Sequence, residues 1–182
     1  WPIAYSLADN DLTALYDTLE HNNQLISEFL TSKNIPASAI TFAPPAITDK
    51  SALDYGSNSN SAFRFVGKQT VTVYSKQIET VRQAMTQLAE LGKKGIVIRG
   101  DDYDSRTEYL FTRLNEIKPV MIEEATQNAR EVAMKFAADS NSQLGKIKSA
   151  RQGQFSISER DRNNPHIKKI RVVSTVEYYL SD

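Results

Sequence analysis

Three stretches of this chain carry apolar residues at helical spacing, each is followed by two extended runs, and one extended run precedes them all. Strand, then helix-strand-strand three times over, reads as an α+β fold. It predicts an antiparallel-rich sheet with helices on one face. The three repeats share no evident sequence identity, so the echo is one of topology.

Ile3 to Leu7 is the opening strand. Asp9 or Asn10 is suited to cap the helix that follows, with Asp11 in its first turn. Leu12, Leu15, Leu19, Ile26, Phe29 and Leu30 mark that helix to about Ser32, where Asn34 and Pro36 end it. Ile40 to Ile47 is extended, and Pro44-Pro45 make it an edge or bend it. Residues 50 to 61 read as a mobile hairpin loop. In the strand from Phe63 to Ser75, Phe63, Phe65, Val71 and Val73 share one face, and Arg64, Lys68, Thr70 and Thr72 the other. A second helix spans Gln77 to Leu91, with a stripe of Ile78, Val81, Met85 and Leu88 and a stop at Gly92. Ile96-Val97-Ile98 has the pattern of a buried strand, and Glu108 to Phe111 is a short strand or a lead-in.

The third helix runs from about Arg113 to Asp139, with Leu114, Ile117, Met121, Ala125, Val132 and Phe136 facing one way. Pro119 kinks it or marks its first turn. Ala125, Ala129, Ala133 and Ala137 let it lie close to a sheet. Leu144 to Ser158 and Ile167 to Leu180 form the last two strands, joined by a charged loop at 159–165. In the final strand, Ile170, Val172, Val176, Tyr178 and Leu180 alternate with Lys169, Arg171, Thr175 and Glu177, a core face against a wetter one.

With 182 residues the chain suits one domain, or two small intimate ones divided near residue 76. Lys plus Arg and Asp plus Glu are 22 each, so no net charge draws the chain to nucleic acid or to an anionic membrane. The lack of cysteine removes disulfides, thiolate nucleophiles and Cys-ligated zinc. No stretch approaches the ~20 apolar residues of a membrane helix. Trp1 to Leu7 reads as the inside of a strand, so an upstream segment is expected.

The C-terminal half carries a family resemblance. Glu124-Ala125, Asn128-Ala129-Arg130, Ala133 and Phe136-Ala137 lead into Leu144-Gly145-Lys146-Ile147 and Gln152-Gly153-Gln154-Phe155-Ser156-Ile157. The chain then closes on the run from Ile167 to Leu180. This resembles the SIMPL-domain family of bacterial cell-envelope proteins, most closely an uncharacterised subgroup. The resemblance covers nearly the whole chain in element order and is most specific from Leu114 onward. It implies export to the periplasm or outer face, by signal peptide or N-terminal anchor, and a first strand upstream of Trp1. It also implies loose links to oxidative-stress defence and to surface antigens, and self-assembly in some members. It implies no catalytic residues and no cofactor.

Asp101, Asp102, Asp104 and Glu108 are the densest carboxylate cluster, of the oxygen-ligand type that calcium or magnesium takes, though without EF-hand spacing. The bland reading is a solvated turn. His21 and His166 have no second ligand at metal spacing, and no GxSxG elbow anchors a triad. Gly92-Lys93-Lys94-Gly95 lacks the phosphate-loop frame and follows a helix, so it reads as a C-cap and turn. If the last strands pair, Lys146, Lys148 and Arg151 come beside Lys168, Lys169 and Arg171 in a basic stripe, with Phe155 and Tyr179 as stacking platforms. The alternative is a solvated face balanced by Glu159, Asp161 and Glu177.

No nucleophile and base are positioned for catalysis, and the resemblance implies an envelope location, so the reading is a non-enzymatic envelope protein. Such a protein acts through protein–protein contacts, foremost its own oligomer through sheet edges. The alternative is a small-molecule or metal-binding module using the turn at 101–108.

Overall fold

The computed structural model describes residues 1–53, 62–100 and 106–181. Two compact units make up the chain, Trp1–Glu108 and Tyr109–Asp182.

The first unit contains β1 (Pro2–Asp9), α1 (Leu12–Ser32), β2 (Ile40–Phe42), β3 (Ala46–Asp49), β4 (Phe65–Val73), α2 (Ile78–Thr86), α3 (Ala89–Lys93) and β5 (Val97–Arg99). Its sheet has the order β2-β4-β1-β5, with β3 also on β4, and every pairing is antiparallel. Alternation in β4 buries Phe65, Gly67, Gln69, Val71 and Val73 and exposes Lys68 and Thr72. Opposite them in β1 stand Asp9, Leu7, Tyr5 and Ile3, the last pairing with Val71. Helix α1 packs on this face through Leu15, Leu19, Ile26, Phe29 and Leu30. A Cβ on Gly67 would stand 3.3 Å from Leu15 Cδ2, so the missing side chain sets the helix-to-sheet approach.

A polar network crosses this core. Tyr5 is fully buried and its hydroxyl donates to Gln69 Oε1 at 2.8 Å. Asn23 Nδ2 donates to the same oxygen at 3.1 Å, and Gln69 Nε2 donates to the Ala43 carbonyl at 2.7 Å. The glutamine amide is therefore satisfied at both ends, as a buried amide must be.

The helix ends follow capping chemistry, with corrections to the sequence reading. Asp11 is itself the α1 N-cap, its carboxylate accepting from Ala14 N at 2.9 Å. Asp9 accepts from Asp11 N, and Asn10 Oδ1 accepts from Arg64 N. At the other end Asn34 has φ 62°, and Ile35 N donates to Leu30 O at 3.0 Å, a Schellman closure over two buried apolar residues. The second helix is two. Gln87 N and Leu88 N donate three residues back, to Ala84 O and Met85 O, which tightens the junction of α2 and α3. Ile78, the first residue of α2, is exposed, and Ala84 is buried along with Val81. Gly92 lies inside α3. The stop is Gly95, at φ 89°, with Ile96 N closing on Leu91 O at 3.2 Å.

Pro44-Pro45 separate β2 from β3, two short strands on the same side of β4, so the expected edge is also bent. Phe63 lies outside β4 and is exposed. Ile96 is buried as the closing residue of α3, whereas Val97 is 62% exposed because it sits on the sheet face opposite the core.

The second unit contains α4 (Leu114–Asp139), β6 (Gln143–Gln152), β7 (Ser156–Glu159), β8 (Lys168–Arg171) and β9 (Ser174–Ser181). Residues 109–113, before α4, have no regular structure. Each of the two long strands expected from the sequence is broken in the middle. β6 pairs with β9 and β7 with β8, both antiparallel, making one long hairpin in two ladders.

A candidate interaction surface

The break in the hairpin has a local cause. Gly153 N donates to Val173 O at 2.8 Å, and a Cβ on Gly153 would stand 2.9 Å from that oxygen. The chains approach there more closely than any side chain allows. Alternation of burial runs on unbroken through the gap. Ile170, Val172, Val176 and Tyr178 are half-covered, while Lys169, Arg171, Thr175, Glu177 and Tyr179 are exposed. The two-faced reading of the final strand holds, with one correction, that Leu180 is exposed.

Helix α4 packs against β6 and β9 with its small residues. Ala125, Ala129 and Ala133 are half-covered and Ala137 is buried. Val132 and Phe136 were expected on this face and are not on it. Each lies one residue, about 100° around the axis, from Ala133 and Ala137, and Phe136 is 69% exposed. The α4 end repeats the closure seen at α1, with Asn141 at φ 56° and Ser142 N on Ala137 O at 2.9 Å. Here, however, the closing residue is a serine. Ala137 is the one buried apolar residue described in this unit, while Leu110, Val120, Val132, Met134, Phe136, Ile147 and Leu180 are exposed.

The basic residues fall differently from the expected stripe. Lys168 stands opposite Glu159 and pairs with it at 3.7 Å. Lys169 and Arg171 lie across from Ser158 and Ser156, and Arg151 lies across from Thr175 in the other ladder. These three share the exposed face. Lys146 and Lys148 sit at the bulged part of β6. Phe155 is taken up by Lys118, whose Nζ lies 5.6 Å from the ring centroid, leaving Tyr179 as the exposed aromatic of that face. At the hairpin tip Asp161 accepts from Asn163 N, Asn164 N and Asn164 Nδ2 and pairs with Arg160 at 2.8 Å. These donors, Arg160 foremost, hold its carboxyl down at about 2.

Of the candidate cation ligands, Asp101, Asp102 and Asp104 lie outside the described residues, and Glu108 is exposed. Among the described residues no group of three carboxylates or histidines is arranged to hold a metal ion. His21 is exposed on α1, and the His166 ring lies 5.8 Å from that of Tyr109. Gly92 to Gly95 form the end of α3, as the sequence indicated. The crowded glycines and the serine closure were not read from the sequence. The pair contact that makes Gly153 necessary becomes visible only once the register is known.

The family model SIMPL, described as a protein of unknown function (DUF541), matches residues 1–177. This chain belongs to the SIMPL family. The match runs through both units, from β1 into β9, so apart from Tyr179 and Leu180 the apolar and basic surfaces above lie within the SIMPL region. No curated protein matches the chain. No described helix of this SIMPL protein is long and apolar enough to cross a membrane.

Proposed function

We propose that this SIMPL protein is a non-enzymatic component of the cell envelope that acts through protein–protein contacts, first with copies of itself. One observation carries the reading: among its described residues the second unit fully buries Ala137 alone, while Val120, Val132, Phe136 and Leu180 stand exposed on α4 and at the end of β9. A helix laid on a two-stranded hairpin cannot enclose a core of its own. Large apolar side chains left exposed on such a scaffold, Val132 and Phe136 one helical turn apart among them, support an interaction site there. The envelope location, and with it a role in stress defence, rests on the sequence resemblance from Leu114 onward.

Light scattering behind a sizing column tests the reading. The expected result is a mass of several subunits that holds on dilution and falls toward one subunit in Phe136→Glu. A wild-type mass of about 20.4 kDa at every concentration overturns it.

A further inference from the structure

The balanced charge of the whole chain conceals a separation. Residues 2–32 contain Asp9, Asp11, Asp17, Glu20 and Glu28 and no lysine or arginine. Asp11 is spent on the α1 cap and Asp9 on the turn before it. Asp17, Glu20 and Glu28 fall on the exposed side of α1, opposite the buried stripe of Leu15, Leu19, Ile26 and Leu30. None of the three makes an ion pair among the described residues. The hairpin is the converse: residues 143–181 hold eight basic and three acidic residues. Two of these acids are already engaged, Glu159 with Lys168 and Asp161 with Arg160. Arg151, Lys169 and Arg171 are left exposed on one face without an ion pair among the described residues, and Glu177 is the acid that shares that face, leaving it net basic.

We infer that copies of this chain associate head to tail, the basic hairpin face of one copy docking on the acidic outer stripe of α1 in the next. This rests on the self-association proposed above and adds to it a second contact, on surfaces separate from the exposed apolar residues of α4. The dimensions agree. From Asp17 to Glu28 the helix rises ~16 Å, and from Lys169 to Thr175, across from Arg151, the strand extends ~20 Å. Opposite charges at this density steer encounter and fix register. The contact pairs unlike surfaces: made once per interface it is heterologous and builds rings or open chains, and made twice about a two-fold axis it closes a dimer.

The test is charge reversal in the full chain, read by sedimentation velocity. One variant carries Asp17→Lys, Glu20→Lys and Glu28→Lys. The other carries Arg151→Glu, Lys169→Glu and Arg171→Glu. All six positions are exposed, and circular dichroism checks that each variant folds. Each variant alone should associate at least about tenfold more weakly than wild type, and an equimolar mixture should return to within about threefold of wild type, since every contact in an alternating assembly is then complementary. Raising salt from 50 mM to 1 M should weaken wild type by a similar factor as screening shortens to ~3 Å. Wild-type association that neither variant changes, or variants that do not rescue each other, overturn the head-to-tail contact and leave self-association standing. A variant that associates normally but loses binding to anionic phospholipid vesicles overturns it too, and assigns the hairpin to a lipid surface. A wild-type chain that stays monomeric overturns both readings.

Discussion

The same helix closure is built in both units with opposite contents. At the end of α1 it brings Leu30 to Ile35, and at the end of α3 it brings Leu91 to Ile96, all four buried. At the end of α4 it brings Ala137 to Ser142. In the first unit the closing turn seals a core, and in the second it only ends a helix. The backbone chemistry is common to both, with a residue at positive φ and a hydrogen bond back to the last turn. What differs is the side chain delivered. The first unit has large apolar groups to enclose, and the second keeps its large groups on the outside.

The strongest test of this contrast is a matched pair of truncations. Leu15→Ala in the first unit removes a fully buried side chain between α1 and the sheet, and should cost about 2–5 kcal/mol of that unit's unfolding free energy in a urea titration. Phe136→Ala in the second unit removes a larger but exposed side chain. It should change stability by no more than about 0.5 kcal/mol while lowering the self-associated mass. Comparable destabilisation by both substitutions would break the comparison.

Next in size is the backbone. Gly95 holds φ 89° with open space around its Cα, so the penalty of Gly95→Ala is purely conformational. It should be about 1–2 kcal/mol, read as a lower midpoint in the same titration. Gly153→Ala meets backbone instead: its Cβ would press on Val173 O. The expected outcome there is loss of the strand pairing around the break, seen as faster amide exchange at Gly153, with the first unit's transition unmoved.

The polar network gives a smaller and pH-dependent effect. Tyr5→Phe should cost about 1 kcal/mol, since one hydrogen bond is lost and Asn23 still satisfies Gln69. Burial pushes the Tyr5 hydroxyl up to about 12. An unfolded tyrosine ionises near pH 10. The fold therefore holds the neutral phenol, and its contribution is complete below pH 10 and is lost as pH rises toward 12. Wild type should lose stability over that interval, and Tyr5→Phe should lose less.

Much of the first unit was legible in residue order, because its signals are local. The α1 stripe, the proline break at Pro44-Pro45 and the alternation of β4 depend on near neighbours. The misplacements came from packing. Phe63 continues the strand pattern but falls outside β4, and Ile78 continues the helix stripe but stands exposed as the first residue of α2. In the second unit the alternating face of the last strand and the alanine row were legible. Val132 and Phe136 were misread because an apolar residue at a plausible helical spacing was taken to face inward. The alanine row occupies the sheet-facing side, and no second layer waits for the rest. Register, which separates Lys168 from Lys169 and puts Arg151 across from Thr175, depends on a pairing that local pattern does not fix.

The smallest predicted effect lies at the hairpin tip, and it sharpens the contrast most finely. The tip has no core beneath it and is ordered by one carboxylate, Asp161, which draws in Asn163 and Asn164. Asp161→Ala should leave the unfolding midpoint of the chain unchanged while speeding amide exchange at Asn163 and Asn164. The same contacts depress the carboxyl to about 2, so the ordering is complete above the ordinary carboxylate range and fades as pH falls from about 4 toward 2. In the first unit, acid over that interval should leave the Leu30–Ile35 and Leu91–Ile96 closures intact, because no titrating group holds them. A tip that stays protected at pH 2 would mean that packing, not charge, orders it, and the second unit would then resemble the first more than its buried residues suggest.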